Sequence, residues 1–185
     1  MRLFVAVNLP DHVRRAIASA AAPLRGASFP IKWVEPDGLH LTLKFLGEVE
    51  ADRQAAVVQA LERACHGAQP FELSLGGFGA FPSPARARVV WLGCDPVPAL
   101  ELLQHGVERE FAALGFPVEG RPFRPHLTLG RARATAGAGV GGLAARLGEL
   151  AFADAVTVRS VDLMESTLTP AGARYAVRHA VPLGA

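Results

Sequence analysis

The sequence predicts a mixed fold of helices and strands, and three observations carry that prediction. Short apolar runs that read as strands alternate with stretches whose apolar residues recur at helical spacing, an α/β or α+β pattern. Half of the 185 residues are hydrophobic. That suffices for one well-buried core, or two small lobes sharing a core, and hardly for two independent domains. Finally, the tetrapeptide HLTL occurs twice, about half a chain apart.

The elements follow in order. Leu3 to Val7 is a short apolar run ended by Asn8 and Pro10, a buried strand. Asp11 is placed to cap a helix carrying Val13, Ile17, Ala20, Ala21 and Leu24 on one face. Ile31 to Val34 and Leu39 to Leu46 are strands, the first closed by Pro36. A second helix starts at Asp52, with Val57, Val58, Leu61 and Ala64 on one face. Residues 71–81 and 87–93 are strands around a Pro-rich turn, PSPA. A third helix runs from about Val97 to Leu114, ended by Gly115 and Pro117. Leu127 to Gly130 is a strand, 136–142 a glycine-rich connection, and 143–149 a short helix. Residues 155–168 and 174–181 form a closing hairpin with Pro170 and Gly172 in its turn.

Composition excludes several classes. The net charge of +2 is not that of a polycation, so strong non-specific nucleic-acid binding is not implied. Of the 19 basic residues, only Lys32 and Lys44 are lysines. Arginine suits phosphate, because its planar fork of donors matches phosphate oxygens. Cys65 and Cys94 form neither a CxxC pair nor a disulfide framework, and read as free buried thiols. No apolar stretch approaches the roughly 20 residues that span a bilayer. The N-terminus lacks the pattern of a signal peptide. A cytoplasmic location is expected, with no membrane partner. The glycine stretch at 136–142 is no phosphate cradle, since neither GxGxxG after a strand nor GxxxxGK[ST] occurs.

The chemistry sits in the repeat, whose histidines, His40 and His126, lie 86 residues apart. In a strand His40 and Thr42 share one face, with Leu41 and Leu43 on the other, and His126 and Thr128 share a face opposite Leu127 and Leu129. If two similar halves pack about an approximate two-fold axis, two imidazoles and two hydroxyls meet over one groove. Imidazole titrates near neutrality, so one ring can accept a proton from water while the other donates one to a leaving oxygen. The threonine hydroxyls can donate to oxygens on which charge gathers.

These residues carry a resemblance. The segments RLFVAVNLP at 2–10, WVEPDGLHLTLKFLGEV at 33–49, RPFRPHLTLGR at 121–131 and LMESTLTPAGARY at 163–175 resemble the two-histidine phosphoesterase superfamily. Within it, they are similar to the RNA 2′,3′-cyclic phosphodiesterases, historically called 2′-5′ RNA ligases. The resemblance implies an α+β, bilobed fold: two pseudo-symmetric, antiparallel-rich sheets flanked by helices, with a central cleft, in one two-lobed domain over 1–185. It implies hydrolysis of RNA 2′,3′-cyclic phosphate ends to a 2′-phosphate with no metal or other cofactor. It also implies His40 as proton donor and His126 as proton acceptor. The repeat alone does not distinguish those roles. The expected partner is RNA with a cyclic end, or a cyclic nucleotide, bound by a monomer. Two alternatives stand beside it, 2′-5′ ligation at the same site and a non-catalytic nucleotide-binding module.

Further residues lie close to the motifs. The resemblance makes Arg131 substrate-binding; strict alternation turns it away from His126, unless Gly130 marks a bulge. Lys44 shares a face with His40 and Thr42 by period and can hold a phosphate as a point charge. Arg121 and Arg124 precede the second motif and can reach RNA phosphates. Trp33, Phe45 and Phe123 can stack on a base, although the period of Phe45 puts it in the core with Leu41 and Leu43. His12, His66, His105 and His179 read as surface or structural histidines.

Overall fold

A computed structural model describes residues 1–133 and 140–184. Among these the chain forms β1 (Arg2–Asn8), α1 (Asp11–Arg25), β2 (Ile31–Trp33), β3 (His40–Glu48), α2 (Gln54–Cys65), β4 (Phe71–Phe81) and β5 (Val89–Cys94). It continues through α3 (Pro98–Ala112), β6 (His126–Ala132), α4 (Leu143–Glu149), β7 (Ala153–Val158), β8 (Ser160–Thr169) and β9 (Gly172–Pro182). The fold is α+β, as expected. All strand pairings are antiparallel, in the order β7-β4-β5-β6-β3-β1-β8-β9, with β2 beside the C-terminal half of β6.

The two expected half-sheets are thus continuous. They join where β3 meets β6, at a single registered pair, Leu41 and Leu127. This joint puts the two motif strands side by side at the centre of a curled sheet. One face of the sheet is apolar. Leu3, Val5 and Val7 of β1, Leu41 and Leu43 of β3, and Leu127 and Leu129 of β6 lie in one core with Ile17 of α1, Leu61 of α2, Leu103 of α3 and Leu143 of α4. Since helices and sheet each have one apolar face to bury, all four helices cover this side. Opposite it, Phe4, Ala6 and Met164 form a separate small cluster with Tyr175.

Three expectations are corrected here. Asp11 is the first helical residue rather than the cap. The cap position is Pro10, and the Asp11 carboxylate pairs with Arg14 one turn on. Asp52 lies in a 3₁₀ turn, Ala51–Arg53, ahead of α2. The first arm of the closing hairpin is two strands: β7 pairs with β4 at one end of the sheet, and β8 with β1 in the other half. Val156 and Val158 alternate inward, as do Val161 and Leu163, and the odd step between Val158 and Val161 marks the break at Arg159. In the glycine-rich connection, positions 136–139 lie outside the described residues. Val140 is buried, and Gly142, in a left-handed conformation, precedes α4.

Candidate active site

The register through Leu41 and Leu127 sets His40 across from Thr128 and Thr42 across from His126. All four side chains are half-buried on the face without helices. Each ring is held in the same way. His40 Nδ1 donates to the Gly38 carbonyl at 2.8 Å, and His126 Nδ1 donates to the Arg124 carbonyl at 2.6 Å. A carbonyl only accepts, so the proton of each neutral ring sits on Nδ1, and each Nε2 is left as the working nitrogen.

Aromatic rings wall both histidines. The His40 ring lies 4.8 Å from Phe4 and meets Tyr175 edge-on at 5.1 Å. His126 meets Phe81 edge-on at 5.0 Å, and Phe81 packs on Trp91. Trp91 lies across Gly79, where a Cβ would stand 2.3 Å from its indole ring. Burial is the main cause that pushes His40 down from the ordinary 6.5 to about 4 and also lowers His126; the Arg131 charge adds to both, and the carbonyl bonds to Gly38 and Arg124 oppose it. One cation therefore acts on both rings.

A bulge explains how Arg131 arrives there. Opposite β5, Val90 pairs with Gly130 and Trp91 with Thr128, so Leu129 is the extra residue. The alternation resets, and Arg131 emerges on the histidine face. The expectation that Gly130 marks a bulge is met in the structure. Glycine is required there also because a Cβ would stand 2.6 Å from Ile31 and 2.8 Å from Trp33. The first motif has the same irregularity. Val5 pairs with Lys44 and Ala6 with Thr42, leaving Leu43 extra.

That first bulge overturns two expectations read from strict period. Lys44 does not share the face of His40 and Thr42. It turns into the helix side, 6% exposed, and donates at 2.8 Å to both Glu108 of α3 and the Pro117 carbonyl. Phe45 is not in the core; it is 64% exposed on the histidine face, 5.9 Å from Phe4. Trp33 and Phe123 pack against the main core. The side chains of Arg121 and Arg124 are exposed, Arg121 bonded to Glu119. His179 pairs with Glu62, away from the motifs. Cys65 and Cys94 are free and buried, their thiols pushed up to about 11 and 12 by burial. Among the described residues no cluster of His, Cys, Asp and Glu could hold a metal ion, and no helix is long and apolar enough to cross a membrane.

Sequence reasoning missed Phe4, Tyr175, Phe81 and Trp91. Phe4 sits in an apolar run buried on both faces, which has no alternation to read. Tyr175 is the only tyrosine of the chain, a signal that was available. It also missed Asn8, the partner of His40 in register, whose amide donates at 2.6 Å to the buried Asp162.

Comparison with known proteins gives the family and the fold. The family model described as LigT like Phosphoesterase matches twice, over residues 7–91 and 92–175, one motif in each. The chain is 37% identical to the RNA 2′,3′-cyclic phosphodiesterase of Methanothermobacter thermautotrophicus over 95% of both chains. A crystal structure of a Thermus thermophilus protein superposes with TM-score 0.82 at 30% identity, covering 99% of this chain and 98% of that one. Escherichia coli LigT complexed with 3′-AMP gives 0.81 at 30% identity, over 100% and 98%.

Proposed function

Because the chain belongs to the LigT-like phosphoesterase family, we propose that it hydrolyses 2′,3′-cyclic phosphate ends of RNA to 2′-phosphates, with His40 and His126 as its acid and base. The observation that carries this reading is the mirrored pair of Nδ1–carbonyl bonds, which leaves two Nε2 atoms free on adjoining strands with one arginine acting on both. In this mechanism water attacks phosphorus as His126 Nε2 takes its proton. The bond from phosphorus to O3′ breaks as His40 Nε2 protonates that oxygen. Thr42, Thr128 and Arg131 bind the non-bridging oxygens, where negative charge gathers. No step needs a metal. One chain carries both histidines, so a monomer suffices, and the free thiols fit the cytoplasm.

The lowered proton affinity of both rings supports a coupling between binding and protonation. In the free protein both are neutral near pH 7. His40 becomes a donor when the phosphate anion enters, offsets the Arg131 charge and raises the affinity of the ring for a proton.

The test is incubation with a cyclic-ended oligonucleotide in chelator, followed by identification of the product. A 2′-phosphate is expected, and His40→Ala and His126→Ala should each lower kcat by about 10²–10⁴ with circular dichroism unchanged. A diester with an aryl leaving group needs no acid, so it should recover activity in the His40 variant and not in the His126 variant. A strict requirement for added metal, or recovery in the wrong variant, would overturn the assignment.

A further inference from the structure

Lys32 stands directly opposite Arg131 in the antiparallel pairing of β2 with β6. Cross-strand partners share a face, with Cβ atoms about 4.5–5.5 Å apart, and like charges there destabilise a sheet. Neither side chain takes part in an ion pair among the described residues. The nearest acid in sequence, Glu35, is engaged by Arg25 at 2.8 Å. Ile31 and Trp33 point to the core, so Lys32 points to the histidine face and is exposed there. It reaches along that face to the β8–β9 turn, where a Cβ built on Gly172 would stand 3.9 Å from its Nζ.

Charge balance says what this cation is for. A cyclic phosphate diester carries one negative charge. Arg131 and one protonated histidine already supply two positive charges to it. Lys32 adds a third, beside Arg131 on the neighbouring strand, and a second anion is what offsets it. We infer that Lys32, beside Arg131, binds a second phosphate of the substrate, the one on the 5′ oxygen of the nucleoside that carries the cyclic phosphate. In RNA that group is the linkage to the preceding nucleotide; in a mononucleotide it is a free 5′-phosphate. The inference rests on the reaction proposed above and names its substrate more closely, as a cyclic end already bearing a 5′-phosphoryl group.

The experiment compares three substrates: a 2′,3′-cyclic mononucleotide with a 5′-hydroxyl, the same compound with a 5′-phosphate, and a dinucleotide with a cyclic end. Lys32→Ala should raise KM about tenfold more for the two 5′-phosphorylated substrates than for the 5′-hydroxyl one, with kcat within about twofold and Lys32→Arg close to the parent. The slope of log KM against log salt for the dinucleotide should fall by about 0.7. An effect of Lys32→Ala confined to the dinucleotide supports the inference, with the RNA linkage as the phosphate bound. Equal effects of Lys32→Ala on all three substrates overturn it. Calorimetric binding of the three corresponding 2′-phosphate products, which undergo no turnover, makes the same comparison. If discrimination for the 5′-phosphate persists there while no substrate is cleaved, the proposed reaction fails and the phosphate site stands.

Discussion

Arg131 is the residue on which the electrostatics of the site converges. Its charge lowers the proton affinity of both histidines, although burial of each ring is the larger cause. Removing the charge while keeping the shape separates the two causes. Arg131→Gln is expected to raise the pKa of His40 and of His126 together, without restoring either to 6.5, because the rings stay buried. Titration of the imidazole resonances by NMR checks this. A shift at only one ring would mean that Arg131 does not sit between them. The same variant should weaken substrate binding, so the two effects need to be read separately, in the free protein and in the complex.

At the scale of the element, the motif strands work through their bulges. Each HLTL is followed by a residue that strict alternation assigns to the wrong face, and in each case one extra leucine corrects it. The correction delivers Phe45 to the open face in one half and Arg131 in the other. It sends Lys44 inward to Glu108, while Gly130 gives β2 room to approach. Gly130→Ala should therefore destabilise the fold by about 1–3 kcal/mol through overpacking against Ile31 and Trp33, measured by urea unfolding. Lys44→Met leaves the largely buried Glu108 carboxylate without its cation. A loss of about 3–5 kcal/mol is expected, with kcat of the remaining folded protein unchanged; a large fall in kcat instead would return Lys44 to the site.

These elements also show what the sequence could tell. The alternation of His and Thr against Leu sufficed to place His40, Thr42, His126 and Thr128 on one face, because four residues of a regular strand have a fixed period. Beyond the fourth residue the period breaks. A glycine flagged the second bulge, whereas the first, at Leu43 and Lys44, carries no glycine and no visible mark. The aromatic walls were illegible for a related reason: Phe4 lies in a run buried on both faces, and Trp91 in a run, VVWLGC, whose half-buried face carries no polar residue to mark it, so neighbours in space, and not spacing in sequence, decide their role. The helices were located to within about two residues from their apolar stripes, since a helix against a sheet must show one.

At the scale of the whole molecule, the site has a cost in stability that depends on pH. An unfolded histidine takes up a proton near pH 6.5. His40, pushed down to about 4, and His126, also lowered, resist that proton in the folded state. Between those values the unfolded chain binds more protons than the folded one, so stability falls as pH falls. The contribution is fully present above about pH 6.5 and lost on the way to pH 4, and for His40 it is on the order of 3 kcal/mol. Three carboxylates with lowered proton affinity titrate below this window. Asp11, Glu110 and Glu119 are held below their ordinary carboxylate values by Arg14, Arg63 and Arg121 respectively, and remain ionised down to about pH 5. Urea unfolding at pH 7 and pH 5 should thus show a decline that is mostly due to the two motif rings. The double variant His40→Gln, His126→Gln removes both titrations and should flatten it, whatever its absolute stability. An undiminished decline in that variant would mean that the rings are as well hydrated as in the unfolded chain. In that case nothing in the fold would hold them neutral to await an anionic substrate.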